Sequence, residues 1–305
     1  MNNILITTSN FSMDYKTNPM NEFHKLNYIL NPYKRKLTQD EVAKLILEYQ
    51  PLGIIAGVEP LTLDVFKIAK KLKVISRCGI GLNSVDTEAA KNYGVTVTNT
   101  PDAPTIAVAE LTIGLILNLI RHINISDRSI REKKWQRPMG NLLYGKTIGI
   151  IGCGRIGCCV ANRLKAFECD LLGFDIISTD NNKSSFLPMV TLDELISNSD
   201  IITIHIPYTK ENDTFFNSDR ICKLKNSALI VNTARGGLID EDALYDALSN
   251  SRIAGAAIDC YNEEPYTGKL SELENVVLTA HIGSYAKEAR KLMEQQALNN
   301  LLNNL

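Results

Sequence analysis

Between residues 147 and 166 the chain runs Thr147-Ile-Gly-Ile-Ile151, then Gly152-Cys-Gly-Arg-Ile-Gly157, then a helix-forming stretch from Cys158 to Ala166. A short apolar strand, three glycines and a helix in unbroken order leave few folds open. The first glycine permits a tight turn, the second lets the backbone approach a pyrophosphate, and the third allows the helix to pack closely on the strand. The helix start then aims its amides at phosphates. Gly152, Gly154 and Gly157 therefore read as the turn of a βαβ dinucleotide site. Glycine turns of this kind also occur without any ligand, so a second observation has to carry the reading. It is Asp175, which closes the next strand-like run, Leu171-Leu-Gly-Phe-Asp175, 18 residues after Gly157. A carboxylate about 20 residues beyond the third glycine binds the ribose hydroxyls of NAD. Ile176, Ile177 and Ser178 follow it with no arginine to meet a 2′-phosphate, so NAD is expected rather than NADP.

The rest of the chain surrounds this motif with two βαβ series, which imply α/β domains built on parallel sheets with right-handed crossovers. In the first hundred residues Ile4 to Thr7, Gly53 to Ala56, Val74 to Ser76 and Val95 to Thr98 are short apolar runs bounded by turn residues. Helical patterns at Glu41 to Tyr49 and Leu63 to Leu72 lie between them. The second series starts at Thr147 and continues through Leu171 to Asp175, Ile201 to His205, Leu229 to Asn232, Ile253 to Asp259 and Val276 to Leu278. Six strands suffice for a complete dinucleotide fold. The apolar helix from about Thr105 and the polar stretch Asp127 to Arg137 join the two series and mark a boundary and hinge. The last helix, about Tyr285 to Leu302, places Leu292, Ala297, Leu298, Leu301 and Leu302 on roughly one face. At 305 residues the chain has room for two cores.

A net charge of -1 with 22% charged residues gives no field able to hold nucleic acid or an anionic membrane surface. The helix candidate Ile106 to Ile120 is shorter than the ~20 residues a bilayer needs and carries Glu110, Thr112 and Asn118, so it reads as buried. Residues 1 to 30 hold no basic stretch followed by an apolar segment and cleavage site, so export is not expected. The seven cysteines, at 78, 153, 158, 159, 169, 222 and 260, are scattered and read as reduced thiols. No pair has zinc-ligand spacing with histidines nearby, no metal is expected, and a cytoplasmic protein is.

Three residues near the ends of later strands are candidates for chemistry. Arg235 sits between Val231-Asn-Thr-Ala and Gly236-Gly237, on a turn directly after a buried strand, where a guanidinium fork can grip a carboxylate. Glu264 ends Asp259-Cys-Tyr-Asn-Glu-Glu-Pro265, and His281 follows Val276-Val-Leu-Thr-Ala280 and precedes Ile282-Gly283. If Glu264 accepts from one ring nitrogen, it fixes the imidazole tautomer and leaves the other nitrogen to exchange a proton. Each of the three, taken alone, is also an ordinary surface or turn residue. His24 and His122 read as structural or surface histidines. His205, ahead of Pro207, either lines a cofactor cleft through backbone contacts or is a core histidine.

At these residues the chain resembles the D-isomer-specific 2-hydroxyacid dehydrogenase family, most like its short phosphoglycerate dehydrogenase branch. The motifs that carry the resemblance are Ser76-Arg-Cys-Gly-Ile-Gly-Leu-Asn-Ser-Val-Asp86, Val108-Ala-Glu110, Gly152 to Gly157, Val231 to Gly237, Asp259 to Pro265 and Thr279-Ala-His-Ile-Gly283. The resemblance implies a Rossmann NAD domain over 103–284 and a flavodoxin-like substrate domain over 1–102 and 285–305. It implies that Arg235 holds the substrate carboxylate, that His281 is the general acid/base and that Glu264 is its partner. Asp259 would contact the nicotinamide amide. Arg155 and Ile156 would meet the pyrophosphate, His205, Pro207, Thr233 and Ala234 would line the cofactor, and Ile282, Gly283 and Ser284 would lie beside the nicotinamide. Backbone amides of Cys78, Gly79 and Ile80, with Arg77 nearby, would cradle the acid. A homodimer through the cofactor domains is implied as well.

The implied reaction is NAD-dependent oxidation or reduction at the alpha carbon of a small D-2-hydroxy or 2-keto acid. D-3-phosphoglycerate, the first substrate of serine synthesis, leads; glyoxylate, hydroxypyruvate and D-lactate are alternatives. A non-catalytic NAD-binding scaffold is a rival of another class, disfavoured because Arg235, Glu264 and His281 are all retained. Some positions depart from the pattern. Ala56-Gly-Val-Glu59 carries an acid where phosphoglycerate enzymes often have arginine, a loss that Lys34, Arg35 and Lys36 could offset. Pro104 replaces an asparagine and Ala280 a proline. With the sequence ending at Leu305, a serine-sensing extension is not expected.

Overall fold

Short apolar runs that alternate with amphipathic helices can bury both faces of a strand only inside a parallel sheet covered by helices, and the chain builds two such sheets. The computed structural model describes residues 2–9, 11, 26–176 and 186–305, in two compact units, Met1–Pro104 with Tyr285–Leu305, and Thr105–Ser284.

The first unit runs β1 (Asn2–Ile6), β2 (Leu26–Leu30), α1 (Gln39–Tyr49), β3 (Gly53–Ala56), α2 (Leu63–Ile68), β4 (Val74–Arg77), α3 (Thr87–Asn92) and β5 (Thr96–Thr98). Its strands are parallel in the order β2-β1-β3-β4-β5, a flavodoxin-like arrangement. β3 is buried at every position and β4 at all but Arg77. β2 was not anticipated, because Leu26–Leu30 has no fully buried residue and therefore no clear apolar pattern. α1 starts on a capping box in which Thr38 and Glu41 satisfy each other's backbone N–H groups.

The second unit contains α4 (Thr105–Arg121), α5 (Ile123–Arg131), β6 (Thr147–Ile151), α6 (Arg155–Leu164), β7 (Asp170–Phe174), α7 (Leu192–Asn198), β8 (Ile201–Ile204), α8 (Ser218–Cys222), β9 (Leu229–Asn232), α9 (Glu241–Ser249), β10 (Gly255–Ile258) and β11 (Val276–Leu278). The parallel sheet has the order β11-β10-β9-β8-β6-β7, with Met189 bridged to Gly173 beyond β7. The chain therefore starts in mid-sheet at β6, runs outward to one side, and returns to the other side at β8. That reversal is the switch point at which open α/β sheets bind ligands, at the carboxyl ends of the strands. α4 buries Ala107, Val108, Ala109, Thr112, Leu115, Ile116, Leu119 and Ile120. Among the described residues no single helix is long and apolar enough to cross a membrane.

Two expectations are corrected. The polar stretch from Asp127 is not all hinge, since α5 continues to Arg131 and carries Arg128 and Arg131 in its last turn, where cations suit the helix dipole. The last helix, α10 (Lys287–Asn303), packs on the first sheet through Met293, Ala297, Leu298 and Leu301, while Leu292 is 44% exposed. Its buried stripe follows i, i+4 from Ala289 and includes the polar Glu294, which an apolar count overlooks.

Candidate active site

The loop after β6 is shaped by what a side chain would strike. Gly152 has φ +91, and a Cβ there would lie 2.7 Å from the carbonyl carbon and oxygen of His205. Only glycine lets the ends of β6 and β8 come this close. The Cys153 N–H donates to Asp175 Oδ2 at 2.8 Å, which draws the acid that follows β7 up to the loop. Gly154 caps α6 with open space around its Cβ position and no side-chain cap. The first turn, Arg155, Ile156 and Gly157, opens the helix at the end where backbone amides and the helix dipole suit an anion. Bare backbone, an uncapped helix start and a neighbouring carboxylate together fit a dinucleotide. Burial, with Cys158 and Asp175 nearby, pushes the Cys153 thiol up to about 12, so no thiolate competes with a phosphate there.

His205 meets this loop with its backbone. Its Nε2 lies 2.9 Å from Thr203 Oγ1, and burial lowers the imidazole to about 3, so the ring is neutral. Pro207 follows, its carbonyl accepting from Asn212 Nδ2 at 2.7 Å. His24, Ile177 and Ser178 lie outside the described residues.

After β9 an asparagine turn presents the arginine. Asn232 Oδ1 accepts from the Ala234 N–H at 3.0 Å and its Nδ2 donates to the Arg235 carbonyl at 2.8 Å. Thr112 on α4 donates its hydroxyl to Val108 O, and Thr233 Oγ1 lies 2.9 Å from it. One hydroxyl carries one proton, so Thr233 is the donor of that pair and keeps an acceptor site. Half-buried Arg235 donates through one terminal nitrogen to Ala234 O at 2.6 Å.

The expected imidazole and carboxylate meet. β10 and β11 are parallel neighbours, with Ile258 opposite Leu278, so the segments leaving their carboxyl ends emerge side by side. His281 Nδ1 is 3.0 Å from each oxygen of Glu264. The side chains are 44% and 39% exposed, so the pair is not sealed in the core. His281 has φ +52, a left-handed conformation uncommon for a residue with a Cβ. Asp259 fixes that turn. It is fully buried; Oδ1 accepts from the Thr279 hydroxyl at 2.6 Å and the Ile282 N–H at 2.8 Å, and Oδ2 from the Gly283 N–H at 2.9 Å. Those bonds take three of about four acceptor positions on a carboxylate. Ser284 closes the same turn. Burial, with Asp259 beside it, pushes the Cys260 thiol upward, and its sulfur donates to the Ala234 carbonyl at 3.6 Å. An imidazole tied to a carboxylate through one nitrogen has a fixed tautomer and a second nitrogen free to exchange a proton.

In the first unit, Arg77 ends β4 and its guanidinium donates to the Cys78 carbonyl. The Cys78 N–H goes to Ala56 O at 2.9 Å, and the Gly79 N–H to Thr100 Oγ1 at 2.8 Å. The expected cradle of three amides is narrower as a result, because two are committed within the unit. Ile80 is held through its carbonyl by Asn99 Nδ2 at 2.8 Å. Glu59 is buried and accepts from the Thr7 hydroxyl and from the Gly57 N–H at 2.9 Å. Arg35 is paired with Glu41 at 2.5 Å.

Asn232, Thr112, Thr279 and Tyr261 were not singled out from the sequence, since each acts by a bond to a residue distant in the chain or to backbone. A cavity of about 150 Å³ lies at the opposite edge of the second sheet, beside Lys146, Asp200, Leu229 and Gly255, and contains none of the site residues. Among the described residues no group of three or more His, Cys, Asp or Glu is placed to hold a metal ion.

Comparison with known proteins gives a consistent result. Residues 113–283 match the model of the D-isomer specific 2-hydroxyacid dehydrogenase NAD binding domain. The chain is 42% identical over 260 residues to a D-3-phosphoglycerate dehydrogenase of Methanocaldococcus jannaschii, covering 84% of this chain and 49% of the relative. It is 40% identical over 263 residues to a hydroxypyruvate reductase of Thermotoga maritima, covering 84% of each. A crystal structure of a protein from Thermus thermophilus superposes with a TM-score of 0.88 at 32% identity, over 98% of this chain and 96% of the other. The chain spans about half the length of the curated phosphoglycerate dehydrogenases it matches.

Proposed function

The chain belongs to the D-isomer specific 2-hydroxyacid dehydrogenase family, and we propose that it is an NAD-dependent enzyme acting at the alpha carbon of a small D-2-hydroxy acid, with D-3-phosphoglycerate as the leading substrate. The observation that carries the proposal is the His281–Glu264 pair, 3.0 Å apart at the carboxyl edge of the same sheet that bears the glycine loop. Bound NAD supplies the hydride chemistry. Gly152, Gly154 and the first turn of α6 hold its pyrophosphate, and Asp175 its ribose. Thr233, with its acceptor site, and Ala234 line the cofactor.

Arg235 grips the substrate carboxylate with a two-pronged fork, which orients the alpha carbon and its oxygen. In oxidation the free nitrogen of His281 takes the hydroxyl proton; in reduction it returns that proton to the carbonyl oxygen. Glu264 holds the ring in the tautomer that leaves this nitrogen free. Asp259, through the Ile282 and Gly283 amides, keeps the turn in its left-handed conformation. A homodimer is proposed through the second unit, supported by Trp135 at 81%, Met139 at 89% and Leu142 at 68% exposure. A cytoplasmic location is part of the proposal, supported by the seven cysteines being unpaired thiols.

Glu59 favours a second reading of the substrate. A buried carboxylate, in place of an arginine, removes a phosphate-binding cation, and Arg35 is already paired with Glu41. Hydroxypyruvate, glyoxylate or D-lactate would need no such cation. Initial rates with NAD or NADH across D-3-phosphoglycerate, hydroxypyruvate, glyoxylate and D-lactate separate the readings. Activity on the unphosphorylated acids alone would overturn the phosphoglycerate assignment; no turnover of any acid, with NADH still bound, would leave a binding scaffold.

A further inference from the structure

Three groups have to keep a common geometry in the proposed reaction, and they stand on three separate loops, after β9, β10 and β11. One residue touches all three loops. The carbonyl of Tyr261 lies against Gly236, next to Arg235, so closely that a Cβ at 236 would overlap it. The N–H of Tyr261 donates to Glu264 Oε1 at 3.2 Å. Its hydroxyl lies 2.9 Å from both Ile258 O and Thr279 O. The Thr279 carbonyl is also the acceptor of the His281 N–H, at 3.0 Å.

We propose that Tyr261 is a positioning residue for the proton-transfer pair: its amide holds Glu264, and its hydroxyl, whose one proton is shared between the Ile258 and Thr279 carbonyls, holds His281 through the latter. The inference rests on the reading of His281 and Glu264 as that pair. The ring is only 8% exposed and stacks on Tyr266 at 4.3 Å, so the phenol cannot swing away. Burial raises its ionisation, which keeps the proton on the oxygen and the donor intact at neutral pH. Asp259 anchors the Thr279 hydroxyl and the Ile282 and Gly283 amides on either side of this turn, and the Tyr261 bond adds to them because it acts on the Thr279 carbonyl itself, the acceptor of the His281 N–H. The His281 N–H to Thr279 carbonyl bond spans a single residue, Ala280, and Ala280 does not have positive φ. That is an inverse γ-turn, with central φ near -75°. An exposed alanine at its centre supplies no restraint of its own. If the Thr279 carbonyl turns, the His281 N–H follows, and the imidazole leaves the Glu264 carboxylate.

The same geometry supplies a rescue. Proline locks φ near -65°, close to what the γ-turn needs, and the Ala280 N–H makes no hydrogen bond among the described residues. Ala280→Pro should therefore restore mechanically what Tyr261→Phe removes. Tyr261→Phe keeps the ring, the stack and the backbone contacts and deletes only the hydroxyl. With the acid that turns over fastest, it should lower kcat roughly tenfold, since misplacing a reacting group by 1 Å can cost up to ~10². KM for the acid and Kd for NADH should stay within about a factor of two, and Tyr261→Phe/Ala280→Pro should regain most of the lost kcat. In a His281→Ala background Tyr261→Phe should add no further loss. The ring signals of His281, assigned in NMR spectra by their disappearance in His281→Ala, should shift or broaden in Tyr261→Phe and return in the double variant.

Wild-type kcat in Tyr261→Phe, or unmoved His281 signals, would overturn the inference while leaving the pair itself intact. A full additional loss in the His281→Ala background would also overturn it. Full turnover in His281→Ala would instead overturn the pair, and the NMR comparison would still decide whether Tyr261 holds the ring.

Discussion

Two alanine substitutions in the glycine loop should separate folding from binding. At Gly157 a Cβ overlaps the Gly152 carbonyl oxygen and lies 3.1 Å from its carbonyl carbon and 3.2 Å from Ile150 Cγ2. Two of the three obstacles are backbone, so no rotamer change relieves them, and α6 must move away from β6. Overpacking of a tight site costs about 1–3 kcal/mol. If the loop gives way instead, the same strain is charged to cofactor binding, and 1–3 kcal/mol corresponds to a weakening of about 5- to 150-fold. Gly157→Ala should therefore lower Tm and raise Kd for NADH together. At Gly154 a Cβ meets nothing within 4 Å, so Gly154→Ala should leave Tm unchanged and weaken NADH only through crowding of the phosphate. Thermal melts with and without NADH, and NADH titration by fluorescence or calorimetry, read both quantities. Gly157→Ala with unchanged Tm and Kd would refute the packing argument. Gly154→Ala with wild-type affinity would refute the placement of the pyrophosphate.

Other consequences follow from single side chains. Arg235→Lys should raise KM for the acid and lower kcat together, because an ammonium cannot reproduce the planar fork; near-normal steady-state constants would remove Arg235 from the carboxylate. His205 is neutral in the folded chain, lowered to about 3 by burial, against about 6.5 when unfolded. The unfolded chain binds the extra proton between those values, so His205 contributes stability that is present above pH 6.5 and lost as pH falls toward 3. Melts from pH 7 to 4.5 should show a steeper loss for wild type than for His205→Asn, and equal slopes would mean the ring is accessible to protons.

The parts of this molecule written in local sequence were the legible ones. Strand, glycines and helix stand in order from Thr147 to Ala166, and Asp175 follows at a fixed distance, because one βαβ unit contains the whole arrangement. His281 and Glu264 were found as residues on turns directly after apolar strands. Their meeting depends on β10 and β11 being neighbours, which topology fixes and spacing alone does not. Asp259 was named for the cofactor, yet in the structure its carboxylate grips the Thr279 hydroxyl and two amides of the His281 turn. Tyr261 was passed over because its bonds go to backbone carbonyls, and a tyrosine after a strand gives no sign of that in sequence. Leu292 was placed on the wrong face because the stripe it was fitted to contains a buried glutamate, which a count of apolar residues skips.

The central claim is that His281, held by Glu264, carries the proton that accompanies hydride transfer. Steady-state turnover of His281→Ala, measured beside NADH affinity on the same sample, tests it most directly. Loss of a general acid/base should cut kcat by roughly 10² to 10⁴, with NADH binding within about a factor of two of wild type. Turnover equal to wild type in that variant would contradict the account.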